Sequence, residues 1–176
     1  MKKLVCCFAD MFINYFIAYI PSWAIRKLFY RILGMKIGKG SRINQRVYIF
    51  CPWRISIGTN TMVNSFAILD GRGGLEIGDS VSISMRSVIY SASHYSNSDS
   101  FECYKRKTTI GNYVWICVNS VVLPGANLSD GTILSANSVL KGNTVVNGIY
   151  SGLPAVFIRK RELSNGYALD CKLYFI

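Results

Sequence analysis

An aliphatic residue recurs at every sixth position over most of the chain, and this period restricts the fold more than any other feature. The repeated residues are Ile37, Ile43, Ile49, Ile57, Val63, Leu69, Ile77, Ile83, Ile89, Ile110, Ile116, Val122, Leu128, Leu134, Leu140, Val146 and, after an interruption at Gly152, Ile158. Strand side chains alternate between two sides, so residues six apart lie on the same side. An α-helix would need a period of about 3.6. The sequence therefore predicts an all-β fold in which these side chains share one interior.

Three hexapeptides form the unit of this repeat. Three strands of this length make one triangular coil, and stacked coils bury a continuous aliphatic core through parallel ladders. A small or β-branched residue is usual four positions after each aliphatic residue, as at Thr61 and Ser120. We expect a parallel β-helix of about six coils at residues 37–161, a helical segment at residues 1–36 and a tail at residues 162–176.

Extra residues enter the repeat only after a third hexapeptide. The steps from Ile49 to Ile57 and from Leu69 to Ile77 are eight residues long, and the step from Ile89 to Ile110 is 21. The additions therefore share one corner of the coil. The longest of them, residues 90–109, is predicted to protrude as a loop, and it contains His94, the only histidine of the chain.

Four motifs follow this loop in a fixed order. They are "IGNYVWI", "VVLPGA", "SANSVLK" and "SGLPAVFIRK", and "SASH" precedes them at the end of the third coil. With these motifs, residues 37–161 resemble the hexapeptide-repeat acyltransferases, especially the sugar O-acetyltransferases of the galactoside, maltose, capsule, O-antigen and colanic-acid type. The resemblance implies a left-handed β-helix, a homotrimer with active sites in grooves between neighbouring prisms, and acetyl-CoA as donor. With a single histidine and no CxxC pair, the sequence contains no His/Cys metal set, so we expect no metal.

The same resemblance assigns site residues. His94 matches the catalytic histidine, and Asn64 matches an asparagine that contacts the acceptor in similar galactoside-type enzymes. The residues matching or flanking the CoA site are Trp115, Ala136, Lys141, Arg159 and Lys160. Trp115 is open to two interpretations, a wall of the groove or ordinary core packing. The chain departs from the family pattern at Tyr95, where some members have an acidic residue, and at "KGNTVV", which replaces a segment with two prolines.

Acyl transfer to a hydroxyl requires a base for the hydroxyl proton, and an imidazole with a pKa near 6.5 suits this task at neutral pH. We expect His94 to act as general base in a direct transfer from acetyl-CoA, with Asp99 or Glu102 as a candidate carboxylate that orients it. Cys103 and Cys117 are weaker candidates for a nucleophile, because neither is paired with a histidine in the sequence. The cations of residues 105–107 either form a solvated loop face or attract CoA phosphates or an anionic glycan.

Charge and cysteine usage limit the partners. The formal net charge is +11, and residues 1–54 contain ten Lys/Arg against one acid, Asp10. Such a surface attracts phosphates or anionic lipid, but no nucleic-acid-binding motif is present, so we expect no nucleic-acid partner. Six irregularly spaced cysteines are typical of reduced thiols in the cytoplasm. The single histidine excludes a γ-class carbonic anhydrase, whose zinc needs three.

The N-terminal segment is nearly apolar from residue 4 to residue 25, which is marginal for a membrane span. Asp10, Asn14 and Pro21 argue against a span, so we expect a helix broken at Pro21 and a second one ending at Gly34. This segment either packs as a cap on the coils or a neighbouring subunit, or lies at the inner face of the plasma membrane with Arg26, Lys27 and Arg31 towards headgroups. The two arrangements are compatible with each other.

Three functions remain open at this point. The first is CoA-dependent O-acetylation of a sugar in bacterial surface polysaccharide. The second is the same chemistry on another acceptor, such as N-acetylation of an amino-sugar nucleotide. The third is a non-catalytic β-helix that serves as a scaffold, which the histidine in the loop disfavours.

Overall fold

The computed structural model describes residues 2–162 and 166–169, with side chains from residue 8 onward. Helix α1 (Lys2–Tyr15), a 3-10 turn (Ile17–Tyr19) and helix α2 (Trp23–Ile32) come first. The strands are β1 (Lys36–Ile37), β2 (Arg42–Ile43), β3 (Tyr48–Phe50), β4 (Ile55–Ile57), β5 (Met62–Val63), β6 (Ile68–Asp70), β7 (Leu75–Ile77), β8 (Ser82–Ile83), β9 (Val88–Ile89), β10 (Ala92–His94), β11 (Cys103–Lys105), β12 (Thr108–Ile110), β13 (Trp115–Ile116), β14 (Val121–Val122), β15 (Asn127–Leu128), β16 (Ile133–Leu134), β17 (Val139–Leu140), β18 (Gly148–Gly152) and β19 (Ala155–Lys160).

Three sheets enclose one interior. The first sheet has the order β1-β4-β7-β12-β15, the second β19-β18-β16-β13-β8-β5-β2, and the third β17-β14-β9-β6-β3. Within these three sheets, pairing is parallel except between β18 and β19, and equivalent aliphatic residues lie in register, as Ile57 with Ile77 and Ile110 with Leu128. Each of the first five coils contributes one strand to each sheet, and the shorter last coil contributes β18 to the second sheet, which gives the expected parallel solenoid of about six turns.

The repeated aliphatic residues form the core as predicted. Every one of them from Ile37 to Leu140 is buried, and so are the small residues four positions later except at the insertions, as at Thr61 and Ser120. These small side chains fit where the chain turns at a corner, and several serines and threonines among them bond to main-chain groups of the next coil. The Thr61 hydroxyl, for example, donates to the Gly78 carbonyl at 2.8 Å. The period therefore places both the aliphatic side chains of the core and the small side chains that bond to the main chain at the corners.

The prediction was wrong for the last two members of the series. Val146 is 57% exposed and Ile158 is 56% exposed. The final coil is shorter than the others, because Tyr150 pairs in register with Leu134 and takes the interior position at 8% exposure. Ile158 lies on β19, an antiparallel return strand at the sheet edge whose apolar side chains face outward. The period ends where no further coil follows.

All three insertions leave at one corner, as predicted. They connect the third sheet to the first: the segments between β3 and β4, between β6 and β7, and between β9 and β12. We call this turn the insertion corner. The turn from the second sheet to the third, called the second–third corner below, is short in every coil.

The N-terminal segment caps the first coil. Ile13, Ile17 and Tyr30 join the same core as the coil residues. The Asn14 amide donates to the Ile49 carbonyl at 2.8 Å and accepts from the Ile49 amide at 2.8 Å. The open edge of a first coil needs such partners, so this polar residue in an apolar helix replaces a missing strand.

Two details of the cap differ from the prediction. Helix α1 ends at Tyr15, well before Pro21, and a 3-10 turn follows. Arg26 is fully buried, where its guanidinium donates to the carbonyls of Ile20, Pro21 and Ile43, so it does not point outward. The carbonyls at the helix junction are the partners that make this burial tolerable.

Within the described residues, neither helix combines the length and the apolar character that crossing a membrane would need.

Candidate active site

The segment of residues 90–109 contains a hairpin rather than only a loop. Strands β10 and β11 pair antiparallel, with His94 opposite Cys103 and Ala92 opposite Lys105. The hairpin projects from the insertion corner of the third coil. Two ladder strands restrict the backbone of His94 much more than a free loop would.

The His94 ring is held by Phe101 at the tip of this hairpin. Its Nδ1 lies 2.7 Å from the Phe101 carbonyl oxygen, and the two rings stack with centroids 4.0 Å apart at 13°. A carbonyl oxygen can only accept, so Nδ1 carries the proton. In the neutral ring, Nε2 is therefore left as the basic nitrogen. Phe101 has φ +52°, a left-handed conformation that ordinary side chains adopt at a cost.

The structure places a main-chain carbonyl at the His94 ring, where a carboxylate was a candidate partner. The main-chain carbonyl of Phe101 occupies Nδ1, and Glu102 instead uses its own carbonyl to accept from the Tyr95 amide at 2.9 Å. Both Asp99 and Glu102 are exposed. The reason is local: the left-handed turn at Phe101 aims its carbonyl back at the imidazole, where a carboxylate would otherwise stand.

A buried carboxylate anchors the base of the hairpin. Asp70 is fully buried and accepts from the amides of Ser91 at 3.0 Å and Ala92 at 3.2 Å. It also forms a two-point pair with Arg72, Nε–Oδ1 at 2.9 Å and Nη2–Oδ2 at 3.0 Å. Burial by itself raises the pKa of Asp70, but hydrogen bonds from the Arg72 side chain and from the Ser91 and Arg72 amides outweigh it and lower the pKa. The carboxylate is therefore ionised at neutral pH.

Two open pockets meet at His94. One of about 280 Å³ extends past Arg72, Tyr90 and Cys103. The other, of about 350 Å³, extends past Tyr104, Arg106 and Lys141. A shared wall belongs to both pockets and consists of Ser93, His94, Leu123 and Pro124. The first pocket reaches the second coil and the second pocket reaches the fifth, so they lie on opposite sides of the imidazole along the stack.

The other predicted site residues lie elsewhere on the chain, Lys141 excepted. Asn64 and Ala136 are at the second–third corner, and Trp115 is on the second sheet. Arg159 and Lys160 are exposed on β19 at the end of that sheet. Within the described part of the chain, none of these five lines a pocket that also contains His94.

Local contacts orient two of these side chains, Trp115 and Asn64. The Trp115 indole is 44% exposed, and its Nε1 donates to the Ser84 hydroxyl at 3.2 Å, so it is not part of the core. The Asn64 amide donates to the Ile83 carbonyl at 2.9 Å, and its oxygen accepts from Asn44 at 3.3 Å. Both therefore present fixed surfaces outside the prism.

The cysteines differ in their settings. Burial raises the pKa of the Cys117 thiol, which disfavours a thiolate nucleophile there. Cys103 is exposed and lies opposite His94 on the neighbouring strand, a proximity that the sequence did not reveal. Among the described residues, no three His, Cys, Asp or Glu side chains are grouped as a metal site would require.

Three residues of the site could not be identified from the sequence. Phe101, Asp70 and Arg72 carry no motif, and their roles depend on contacts across the hairpin base and tip. The one available signal was the acid at position 70, directly after the aliphatic Leu69 at the corner where insertions leave.

Comparison with known proteins places this arrangement in a class. No protein-family model matches the chain. The colanic acid biosynthesis acetyltransferase WcaF of Escherichia coli is 32% identical over 136 residues, which cover 77% of this chain and 75% of that protein. The galactoside O-acetyltransferase of Escherichia coli is 28% identical over 127 residues, covering 70% and 63%. A crystal structure of a hexapeptide-repeat acetyltransferase from Vibrio cholerae, complexed with acetyl coenzyme A, has a TM-score of 0.84 at 24% identity, covering 90% and 88%.

The three-sided stack of parallel coils, together with its similarity to the Vibrio cholerae structure, shows that the fold is a left-handed β-helix, as the resemblance predicted. The similarity to WcaF then identifies the family: the chain belongs to the hexapeptide-repeat acetyltransferases, and it is an acyltransferase.

Proposed function

We propose that the protein transfers an acetyl group from acetyl-CoA to a hydroxyl of a sugar in the synthesis of bacterial surface polysaccharide. The observation that carries the proposal is the free Nε2 of His94 at the meeting point of two pockets. The name of the relative WcaF, a colanic acid biosynthesis acetyltransferase, supports the class of acceptor.

The mechanism is a direct transfer with His94 as general base. Nε2 takes the proton of the sugar hydroxyl while the oxygen attacks the thioester carbonyl of acetyl-CoA. The tetrahedral intermediate collapses, the C–S bond breaks, and the proton passes from Nε2 to the departing thiolate. The Phe101 carbonyl keeps the ring in the required tautomer and stabilises the imidazolium that forms.

Donor and acceptor occupy different sides of His94 in this mechanism. The pocket of Arg106 and Lys141 offers two cations, and Lys141 is one of the residues predicted to bind CoA. We assign this pocket to acetyl-CoA, whose phosphates need cations. The pocket past Arg72 is then left for the acceptor.

A homotrimer completes the site. His94 projects from the insertion corner, whereas Asn64, Trp115 and Ala136 lie at or beside the second–third corner. That corner exposes an apolar row of Phe66, Met85 and Val118, of the kind that another protein surface covers. We propose that the insertion corner of one protomer packs against the second–third corner of its neighbour, which brings the two groups of residues into one groove.

The outer surface of the N-terminal cap is proposed to contact anionic lipid at the inner face of the plasma membrane. Its exposed apolar side chains include Phe8, Tyr15, Phe16, Leu28 and Ile32. The exposed cations Arg31, Lys36 and Lys39 stand nearby in the chain. Apolar side chains with flanking cations suit the interface of an anionic bilayer.

Replacement of His94 tests the enzymatic proposal. We expect His94→Ala to lower the rate of acetylation by about 100-fold or more, while the oligomer and the melting temperature stay as in the wild type. The readout is the acetyl content of surface polysaccharide, measured by mass spectrometry in cells that carry the wild type, the variant or no copy. Acetylation at near-normal level with His94→Ala would overturn the mechanism, and unchanged acetylation without the protein would overturn the acceptor class.

A further inference from the structure

The Arg72 guanidinium is unusually well fixed for a side chain that reaches a pocket. Its two bonds to Asp70 run from Nε and Nη2, and its Cζ lies 4.9 Å from the centre of the Phe50 ring. Asp70 is itself fully buried and held by the main chain at the hairpin base. The orientation of the guanidinium is therefore set before any ligand arrives, which lowers the entropic cost of binding.

One edge of this guanidinium remains available. Arginine carries five N–H donors, and the pair with Asp70 uses one on Nε and one on Nη2. Among the described residues, no group accepts from Nη1. Nη1 and the second N–H of Nη2 form the end of the fork, which matches a carboxylate or phosphate with two parallel hydrogen bonds. The side chain is 37% exposed and lines the pocket at His94, so a ligand in that pocket can reach it.

The surroundings favour an anion. Arg72 lines the pocket that also contains His94 and Cys103. Of the described residues that line this pocket or the one across His94, none is Asp or Glu, whereas Arg72, Arg106 and Lys141 are cationic. The buried Asp70 balances the Arg72 charge locally but leaves its outward donors unused. An anionic group entering here would meet donors without meeting a competing carboxylate.

We propose that Arg72 forms an anion subsite that selects an acidic sugar as acceptor, with the sugar's carboxylate bound at the end of the guanidinium and a hydroxyl presented to His94. This proposal rests on acetyl transfer by His94. It adds the substrate class: a uronic acid or a similarly acidic residue of the polysaccharide rather than a neutral one.

The unique histidine provides a readout that does not require turnover. In protein labelled at histidine, the ring of His94 gives a single NMR signal, and an anion bound beside it shifts that signal. Methyl β-D-glucuronoside and its methyl ester are the probes, since they differ in the charge of one group. At constant pH and ionic strength, we expect a saturable shift with the acid and at least about tenfold weaker binding of the ester.

Variants at Arg72 test whether this residue binds the carboxylate of the probe. Arg72→Met should abolish the response to the acid, and Arg72→Lys should retain part of it, because an ammonium keeps the charge without the fork. Lys39→Met, which removes one cation at an exposed corner of the first coil, is the matched control and should respond like the wild type. If loss of Arg72 unfolds the hairpin by leaving the Asp70 charge without its cation, the double variant Asp70→Asn/Arg72→Gln removes both charges, keeps the shape of the side chain at position 70, and should likewise not respond to the acid.

The phosphates of CoA are the other anions that could bind Arg72, and a competition titration separates them from the sugar carboxylate. The titration is repeated with CoA at saturation, and the shift by glucuronoside should persist. Its loss would assign Arg72 to the donor and overturn the proposal. Equal binding of acid and ester, no response of the wild type, or a full response of Arg72→Met would overturn it as well. Because these are binding measurements, they fail independently of the His94→Ala test of acetylation.

Discussion

The contact between His94 and the Phe101 carbonyl is the most informative feature at the scale of single residues. Many catalytic histidines are oriented by a carboxylate, whereas the ring of His94, the proposed base, is held by a main-chain oxygen. A neutral carbonyl fixes the tautomer through the same hydrogen bond, although it adds less charge stabilisation to the imidazolium. The left-handed backbone at Phe101 is the cost of aiming that oxygen at the ring.

Substitution of the two nearby acids tests this assignment. We expect Asp99→Asn and Glu102→Gln to keep kcat within about twofold of the wild type, since neither carboxylate holds His94, whereas removal of a general base costs about 100-fold or more. The measurement is the steady-state rate of CoA release with purified polysaccharide as acceptor. A tenfold or larger loss in either variant with an unchanged melting temperature would show that a carboxylate does assist the histidine.

At the scale of strands and coils, the period of six has a direct physical meaning. Most hexapeptides between Ile37 and Leu140 supply one buried aliphatic residue and one buried small residue, and identical register in successive coils stacks them. The pattern predicts where a residue lies in its coil, but it does not by itself predict whether the side chain is buried. Val146 obeys the period and is exposed, because the last coil is short and Tyr150 fills the interior.

A matched pair of substitutions tests the difference between Val122 and Val146. Val122 is fully buried, and Val122→Ala should lower the free energy of unfolding by about 2 kcal/mol through lost burial and a residual cavity. Val146→Ala removes the same atoms from an exposed site and should change it by less than about 0.5 kcal/mol. Urea unfolding followed by circular dichroism gives both values. Equal effects at the two sites would contradict the register of the last coil.

At the scale of the whole molecule, one chain does not assemble all the predicted site residues. His94 and Lys141 lie around the insertion corner, and Asn64, Trp115 and Ala136 lie around the second–third corner. Two corners of a rigid prism cannot approach each other within one chain. We propose that a groove between two protomers joins them, and oligomerisation would then be a condition for activity rather than only a source of stability.

Subunit mixing tests this arrangement. His94→Ala and Asn64→Ala should each be inactive alone, but mixed oligomers should recover activity, because some grooves receive His94 from one protomer and Asn64 from the other. Mixing His94→Ala with His94→Asn is the control and should recover none. Light scattering should give the mass of a trimer. A monomeric mass, or no recovery in verified mixed oligomers, would rule out a shared groove.

The proposed membrane contact also belongs to the scale of the whole molecule. We expect the protein to sediment with vesicles that contain anionic phospholipid at low salt and to be released at high salt, because screening weakens the attraction of the basic surface. Vesicles of neutral lipid alone are the control. The double variant Phe16→Ser/Leu28→Ser should bind less at every salt concentration. Binding that is indifferent to lipid charge would contradict the proposal, although it would leave the enzyme assignment unaffected.

The sequence by itself determined the coil, its interior and the corner at which insertions leave. These are properties of strand alternation and repeat length, and a residue such as Ile89 or Leu128 carries that information within its own hexapeptide. Tertiary structure decided the rest: the partner of His94, the Asp70–Arg72 pair, the burial of Arg26 and the exposure of Val146. Each depends on which main-chain groups meet across a hairpin, a helix junction or the end of the stack. Such contacts join residues that share no period, so no local pattern encodes them.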